Sequence, residues 1–263
     1  MNERSWDLDR FSVSVRKGLE DVYELSVFSL KFFSSVFKPP FEWGEIRRHL
    51  DDLGSKSLPL VSMVGFIMGL ILAMQTRPTL DRFGAGSYLP AMIALSIVRE
   101  LGPVITALIV AGRVSSGIAA EIGSMRVTEQ IDALEVNAVD PYKYLVVTRV
   151  VACIIMMPLI TAYVDFLAIL GGYVAESITY TSSFQLYFTD VINSLTFFDV
   201  IPGVAKTAVF GFIIGIIGSY QGYTAGSGTR GVGRAATSAV VYASLHIIFV
   251  DMVLVRLTLY IFG

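Results

Sequence analysis

The sequence predicts an all-α, polytopic membrane protein, and three observations carry that prediction. Of its 263 residues, 54% are hydrophobic and only 16% are charged, whereas ordinary soluble domains carry about 25% charged residues. Five apolar runs each reach the roughly 20 residues needed to cross a hydrocarbon core. Ahead of them, apolar residues recur at gaps of three or four, which is the period of one helix face.

The first element is that periodic segment. Phe11, Val15, Leu19, Tyr23, Val27, Leu30, Phe33 and Phe37 form the stripe, while Arg16, Lys17, Glu20, Asp21, Glu24 and Lys31 fall off it. So many charges exclude a span. Residues 1–50 therefore read as an amphipathic, interfacial elbow helix ended by Pro39-Pro40. Residues 51–263 read as one five-span domain, with spans at about 53–75, 88–112, 144–173, 200–220 and 237–262. Pro158 and Asp165 lie in the long third span and predict a tilt or kink there. The connection after it, SITYTSSFQLYFTDVINSLTFF, is apolar enough for a short helix on the outer leaflet.

Charge sets the orientation. The N-terminal 60 residues, the loop between spans two and three and the loop between spans four and five together hold fifteen Lys and Arg, and the opposite loops hold two, Arg77 and Arg82. The positive-inside rule places the N-terminus in the cytoplasm and the C-terminus outside. Gly65-x-x-x-Gly69 in the first span and Gly211-x-x-x-Gly215 in the fourth, continued by Gly218 and Gly222, predict close helix contacts. Five spans form a bundle too thin to enclose a large pathway, so a homodimer is expected. A net charge of −2 gives no basic patch for nucleic acid. The single cysteine, Cys153, excludes an internal disulfide and reads as packing. The opening MNERSWDLDR predicts neither a cleavable signal nor a transit segment.

Arg99-Glu100 is the most informative pair, because charges inside an apolar span are costly and ask for a reason. Adjacent residues on a helix point about 100° apart. One of them can face a cavity while the other meets a neighbouring helix. As a functional spot, Arg99 suits a phosphate and Glu100 an amine or hydroxyl; as a structural one, the pair fixes helix register with Asp251 or Arg256. Pro78 is expected to stop the first span, leaving Gln75 near the outer mouth, with Leu80 and Phe83 as its apolar wall or as lipid anchors. Asp165, Lys206, Asp251 and Arg256 are further ionisable groups in or near the spans, read as pairing between helices. The two histidines, His49 and His246, lie in different segments, and no His/Cys/carboxylate cluster has metal spacing. No cofactor is expected.

The polar run from Ala120 to Leu134 (AEIGSMRVTEQIDAL) reads as one surface helix in the long cytoplasmic loop, carrying Glu121, Arg126, Glu129 and Asp132. It suits a coupling helix that seats in a nucleotide-hydrolysing partner. The chain has no Gly-x-x-x-x-Gly-Lys-Ser/Thr loop of its own, and the glycines at 226, 228, 231 and 233 lack the Lys-Ser/Thr.

The runs Arg99 to Pro103, Ala111 to Arg113, Ala120 to Leu134 and Ala138 to Pro141, with Gly222 to Ala225 and Gly231 to Thr237, closely resemble the MlaE/YrbE family. These are permease subunits of phospholipid-transporting ABC systems that work with MCE-domain proteins. The resemblance covers nearly everything from about Glu45 onward. It implies a homodimeric permease of the inner membrane of a Gram-negative bacterium, not itself an enzyme. Two cytoplasmic ATPase subunits would be met through Glu121, Arg126, Glu129 and Asp132, and a periplasmic MCE-domain ring would sit on the other side. It further implies a glycerophospholipid cavity at the dimer interface lined or gated by Gln75, Leu80, Phe83, Arg99 and Glu100. A proton-coupled transporter of an amphiphile, working through Asp165, Asp251 and Glu100, is the alternative. A plastid inner envelope is the alternative location. An intramembrane enzyme would need a nucleophile-base or metal set that the spans lack.

Overall fold

The computed structural model describes residues 20, 22–39, 41–180 and 183–262, and these hold helices and turns with no strand. The elements are α1 (22–35), α2 (Trp43–Arg82), α3 (Gly86–Val127), α4 (Gln130–Val136), α5 (Tyr142–Ile178), α6 (Phe184–Ser194), α7 (Phe197–Tyr223) and α8 (Gly228–Phe262). Five of them, α2, α3, α5, α7 and α8, are long and apolar enough to cross a membrane. The multi-span, all-helical fold read from the sequence is therefore what the chain adopts.

Glycine decides how these helices meet. A Cβ on Gly69 would collide with the Ala168 backbone of α5, and one on Gly171 with the Phe66 backbone of α2. The two helices thus touch main chain to main chain, along much of their length. Gly211 and Gly215 bring α7 onto Cys153, Ile154 and Val150 of α5, and Gly218 and Gly222 bring it onto Ser115, Ala119 and Ile122 of α3. Both glycine series anticipated from spacing are used in this way. Cys153 is buried in this packing. In contrast, α8 lies on α3 and α7 through a narrow seam in which Ala235, Ala239, Ala243 and Ile247 are buried.

Some elements depart from expectation. Helix α2 does not stop at Pro78: both Pro59 and Pro78 lie inside it, and it runs 40 residues to Arg82, about 60 Å. Proline breaks a helix only where the carbonyl it deprives has no other partner and the ring has no room. Here Arg77 braces the outer turns, pairing with Asp81 at 2.9 Å and with the buried Glu176 of α5. The run Ala120–Leu134 is not one helix. Span two carries on to Val127, Glu129 adopts φ 58°, and α4 restarts at Gln130.

At the N-terminus, residues 11, 15 and 19 of the anticipated stripe lie outside the described residues. The rest of that stripe, Tyr23, Val27, Leu30, Phe33 and Phe37, is exposed. It is the neighbouring face that packs on the bundle, with Phe32 buried and Phe28 edge-on to Tyr142 at 4.9 Å. The helix is apolar on two sides, one packed on the bundle and the other, the stripe read from periodicity, turned away from it. The expected short helix between spans three and four is α6; its Ser183 cap accepts from the Leu186 amide, and Tyr187 and Val191 bury it against the bundle.

Candidate functional site

The helix α3 is not uniformly α. Ile97–Leu101 and Ala111–Ser115 are π-helical turns, as is Tyr142–Val147 at the start of α5. Each π turn widens the helix by one residue and is often found at functional sites. The first contains Arg99 and Glu100. Gly203 of α7 presses on the Val98 carbonyl at this turn, and Gly102 lies against the Asp165 carboxylate of α5. The turn is therefore wedged between two helices with almost no side chain between.

Both charged residues open toward one cleft of about 370 Å³ between α3, α7 and α8. Arg99 donates from Nε to Asp199 Oδ1 at 2.7 Å, with Nη2 on the same oxygen. The other Asp199 oxygen accepts from the Thr196 amide at 2.8 Å and the Thr196 hydroxyl at 2.7 Å, so one buried carboxylate both starts α7 and anchors Arg99. Glu100 pairs with Lys206 of α7 at 2.8 Å, and Lys206 also reaches Asp251 of α8 at 3.1 Å. Lys206 is buried, whereas the Arg99 side chain is 55% exposed. Phe198, Val255 and Leu259 supply apolar wall. The arrangement offers a half-exposed guanidinium and a carboxylate at the edge of an apolar cleft, which suits the head of an amphiphile.

Sequence reasoning found Arg99, Glu100 and Asp251 and named Lys206, but missed Asp199 and Thr196. The Thr196-x-x-Asp199 spacing of a capping box was the signal that could have exposed them. Both members of the Arg99-Glu100 pair reach α7, which the widened turn allows. Asp251 pairs with Lys206 rather than Arg256, and Arg256 is exposed. Asp165 is buried, with Oδ1 lacking a hydrogen bond among the described residues.

Gln75, Leu80 and Phe83 do not line this cleft. Gln75 is exposed on α2, Leu80 is half-buried against the cluster around Ala73 and Leu89, and Phe83 is 81% exposed just beyond the helix end. At the other end of the bundle Glu121, Arg126, Glu129 and Asp132 are all exposed. Glu121 pairs with Arg149 at 2.9 Å and Arg126 with Asp132 at 3.4 Å across the Glu129 turn.

The family model described as Permease MlaE matches residues 46–257. The chain is 44% identical over 241 residues to a probable ABC transporter permease protein of Rickettsia felis, covering 92% of this chain and 93% of that one. It is 33% identical over 218 residues to the intermembrane phospholipid transport system permease protein MlaE of Haemophilus influenzae, covering 80% and 84%. It is 32% identical over 219 residues to the chloroplastic protein TRIGALACTOSYLDIACYLGLYCEROL 1 of Arabidopsis thaliana, covering 83% and 63%. With the family motif running across all five spans, this chain belongs to the MlaE permease family and is a multi-pass permease component rather than an enzyme.

Proposed function

We propose that this chain is the membrane subunit of an ATP-driven transporter that moves glycerophospholipid between an inner membrane and an acceptor outside it. The cleft carries the reading. It sets Arg99 for a lipid phosphate and Glu100 for a head-group amine or hydroxyl, beside apolar walls. Family membership and the relative named for phospholipid transport support the same substrate.

In this reading two copies form a homodimer whose interface holds the lipid, with Gln75, Leu80 and Phe83 at the outer mouth. Two ATPase subunits seat on the exposed surface around Glu121, Arg126, Glu129 and Asp132. An MCE-domain protein covers the opposite, periplasmic side. ATP turnover shifts that cytoplasmic surface, and the continuous helix from Val127 back to the Arg99 turn carries the motion to the cleft. Asp251 holds α8 to α7 through Lys206.

The test is lipid transfer from proteoliposomes holding this chain with its ATPase. Glu100→Ala is expected to assemble normally and to lose ATP-dependent transfer. Undiminished transfer in Glu100→Ala removes the cleft as the lipid site. The rival, proton coupling, is favoured by the unpartnered Asp165 Oδ1; it requires the lone chain to move lipid on a proton gradient without ATP.

A further inference from the structure

A second polar cavity, of about 230 Å³, lies at the opposite end of the bundle from the Arg99 cleft, between α2, α3 and α5. Its depth is set by sequence. Lys56 on α2 immediately precedes a charge-free stretch, 57–76; Arg113 on α3 follows another, 101–112; Arg149 on α5 precedes a third, 150–164. The cavity therefore sits where the apolar zone of three spans ends, which is the level of lipid head groups.

Its lining is built and under-satisfied. Arg149 is buried, with Nη1 donating to the Leu145 carbonyl at 2.8 Å and Nη2 pairing with Glu121. Among the described residues its Nε has no partner, nor do Ser57 Oγ (a residue 2% exposed) and His49 Nε2, and all three residues line this cavity. Three covered polar atoms without partners among the described residues are each unfavourable, and an acceptor entering the cavity relieves those that a side-chain rotation turns toward it. Charge points to the same kind of acceptor. Lys56 pairs with Asp52 at 2.6 Å and Arg149 with Glu121 at 2.9 Å, whereas Arg113, also on the lining, has no ion pair among the described residues. The lining thus carries one uncompensated positive charge.

We propose that this cavity binds one phosphodiester head group of an anionic or zwitterionic glycerophospholipid from the leaflet on that side. A phosphodiester carries one negative charge and supplies the acceptor oxygens that the Arg149 Nε edge and the Ser57 hydroxyl lack. Leu53, Val114 and Ile118 offer apolar wall for the glycerol end. The cavity is too small for a whole lipid and is separate from the transport cleft. The inference does not rest on the transport reading, because binding is measured without ATPase or flux.

The test is calorimetric titration of the purified full-length protein in detergent with dihexanoyl phosphatidylglycerol, with inorganic phosphate as competitor. A Cβ at Gly117, on the lining, would meet nothing, so Gly117→Leu enters the cavity from a position with room for its first carbon. Saturable binding is expected that Gly117→Leu abolishes and Arg113→Gln weakens about tenfold, the scale of one charge-assisted hydrogen bond. Arg99→Gln, in the distant cleft, is expected to leave this component in place. Binding unaffected by both Gly117→Leu and Arg113→Gln, or lost only in Arg99→Gln, overturns the site. Full displacement by an equal concentration of inorganic phosphate overturns a lipid as the ligand's source.

Discussion

Replacing Lys206 by Met tests how the cleft is held together. Lys206 Nζ lies 2.8 Å from Glu100 and 3.1 Å from Asp251, and its own side chain is only 6% exposed. Removing it leaves two carboxylates facing each other with no cation between them. A hydrogen bond to a buried charged group is worth about 1.5–3 kcal/mol. The bond to Asp251, 16% exposed, counts nearly in full. That to Glu100, 43% exposed, is screened by solvent and adds only about 0.5 kcal/mol. The expected loss is about 3 kcal/mol, most of it from uncompensated charge rather than from a lost attraction. Denaturant titration of the purified protein in dodecyl maltoside, followed by circular dichroism, measures it. The triple variant Lys206→Met, Glu100→Gln, Asp251→Asn removes the stranded charges and is expected to regain more than half of the loss. A single variant within about 0.5 kcal/mol of the parent, or a triple variant no better than the single, refutes the argument.

Four further variants test the same geometry. Arg99→Ala leaves Asp199 with both Thr196 donors, so unfolding stability should fall by no more than about 1 kcal/mol, given a 55% exposed side chain, while lipid transfer falls severely; the two assays together separate a ligand contact from a strut. Gly69→Ala forces a Cβ into the Ala168 backbone and should destabilise by about 1–3 kcal/mol, whereas Gly112→Ala meets nothing and should stabilise by about 0.5–1 kcal/mol, both read as unfolding midpoints. Ala138 holds φ 59°, so Ala138→Gly should raise stability by about 1 kcal/mol in the same titration.

The features legible in the sequence were those with a local cause. Apolar length fixed the five spans, and glycine spacing fixed which faces touch, since only a missing Cβ permits such approach. The cleft was half legible. A charge inside an apolar run stands out, so Arg99, Glu100 and Asp251 were found, but their partners are set by which helices happen to adjoin. The links Arg99 to Asp199 and Glu100 to Lys206 cross a hundred residues or more of chain, beyond any spacing rule. Pro78 misled because a proline's effect depends on what braces the next turn, here Arg77 with Glu176. The break at Glu129 was hidden because a left-handed glutamate has no compositional mark. The packed face of α1 was not legible, because Phe28 and Phe32 follow the same period as Val27 and Leu30, offset by a residue or two.

Resistance to sliding is unequal among the spans. Where α2, α5, α7 and α3 rest backbone on backbone, any axial shift drives peptide groups over side-chain shoulders, and no rotamer change can ease the passage. These four should behave as one stiff slab. Helix α8 is attached by small alanine methyls along a single seam and turns most of its girth outward; it can roll about that seam like a door on a piano hinge. Lys206 and Asp251 sit across this joint, one on the slab and the other on the leaf.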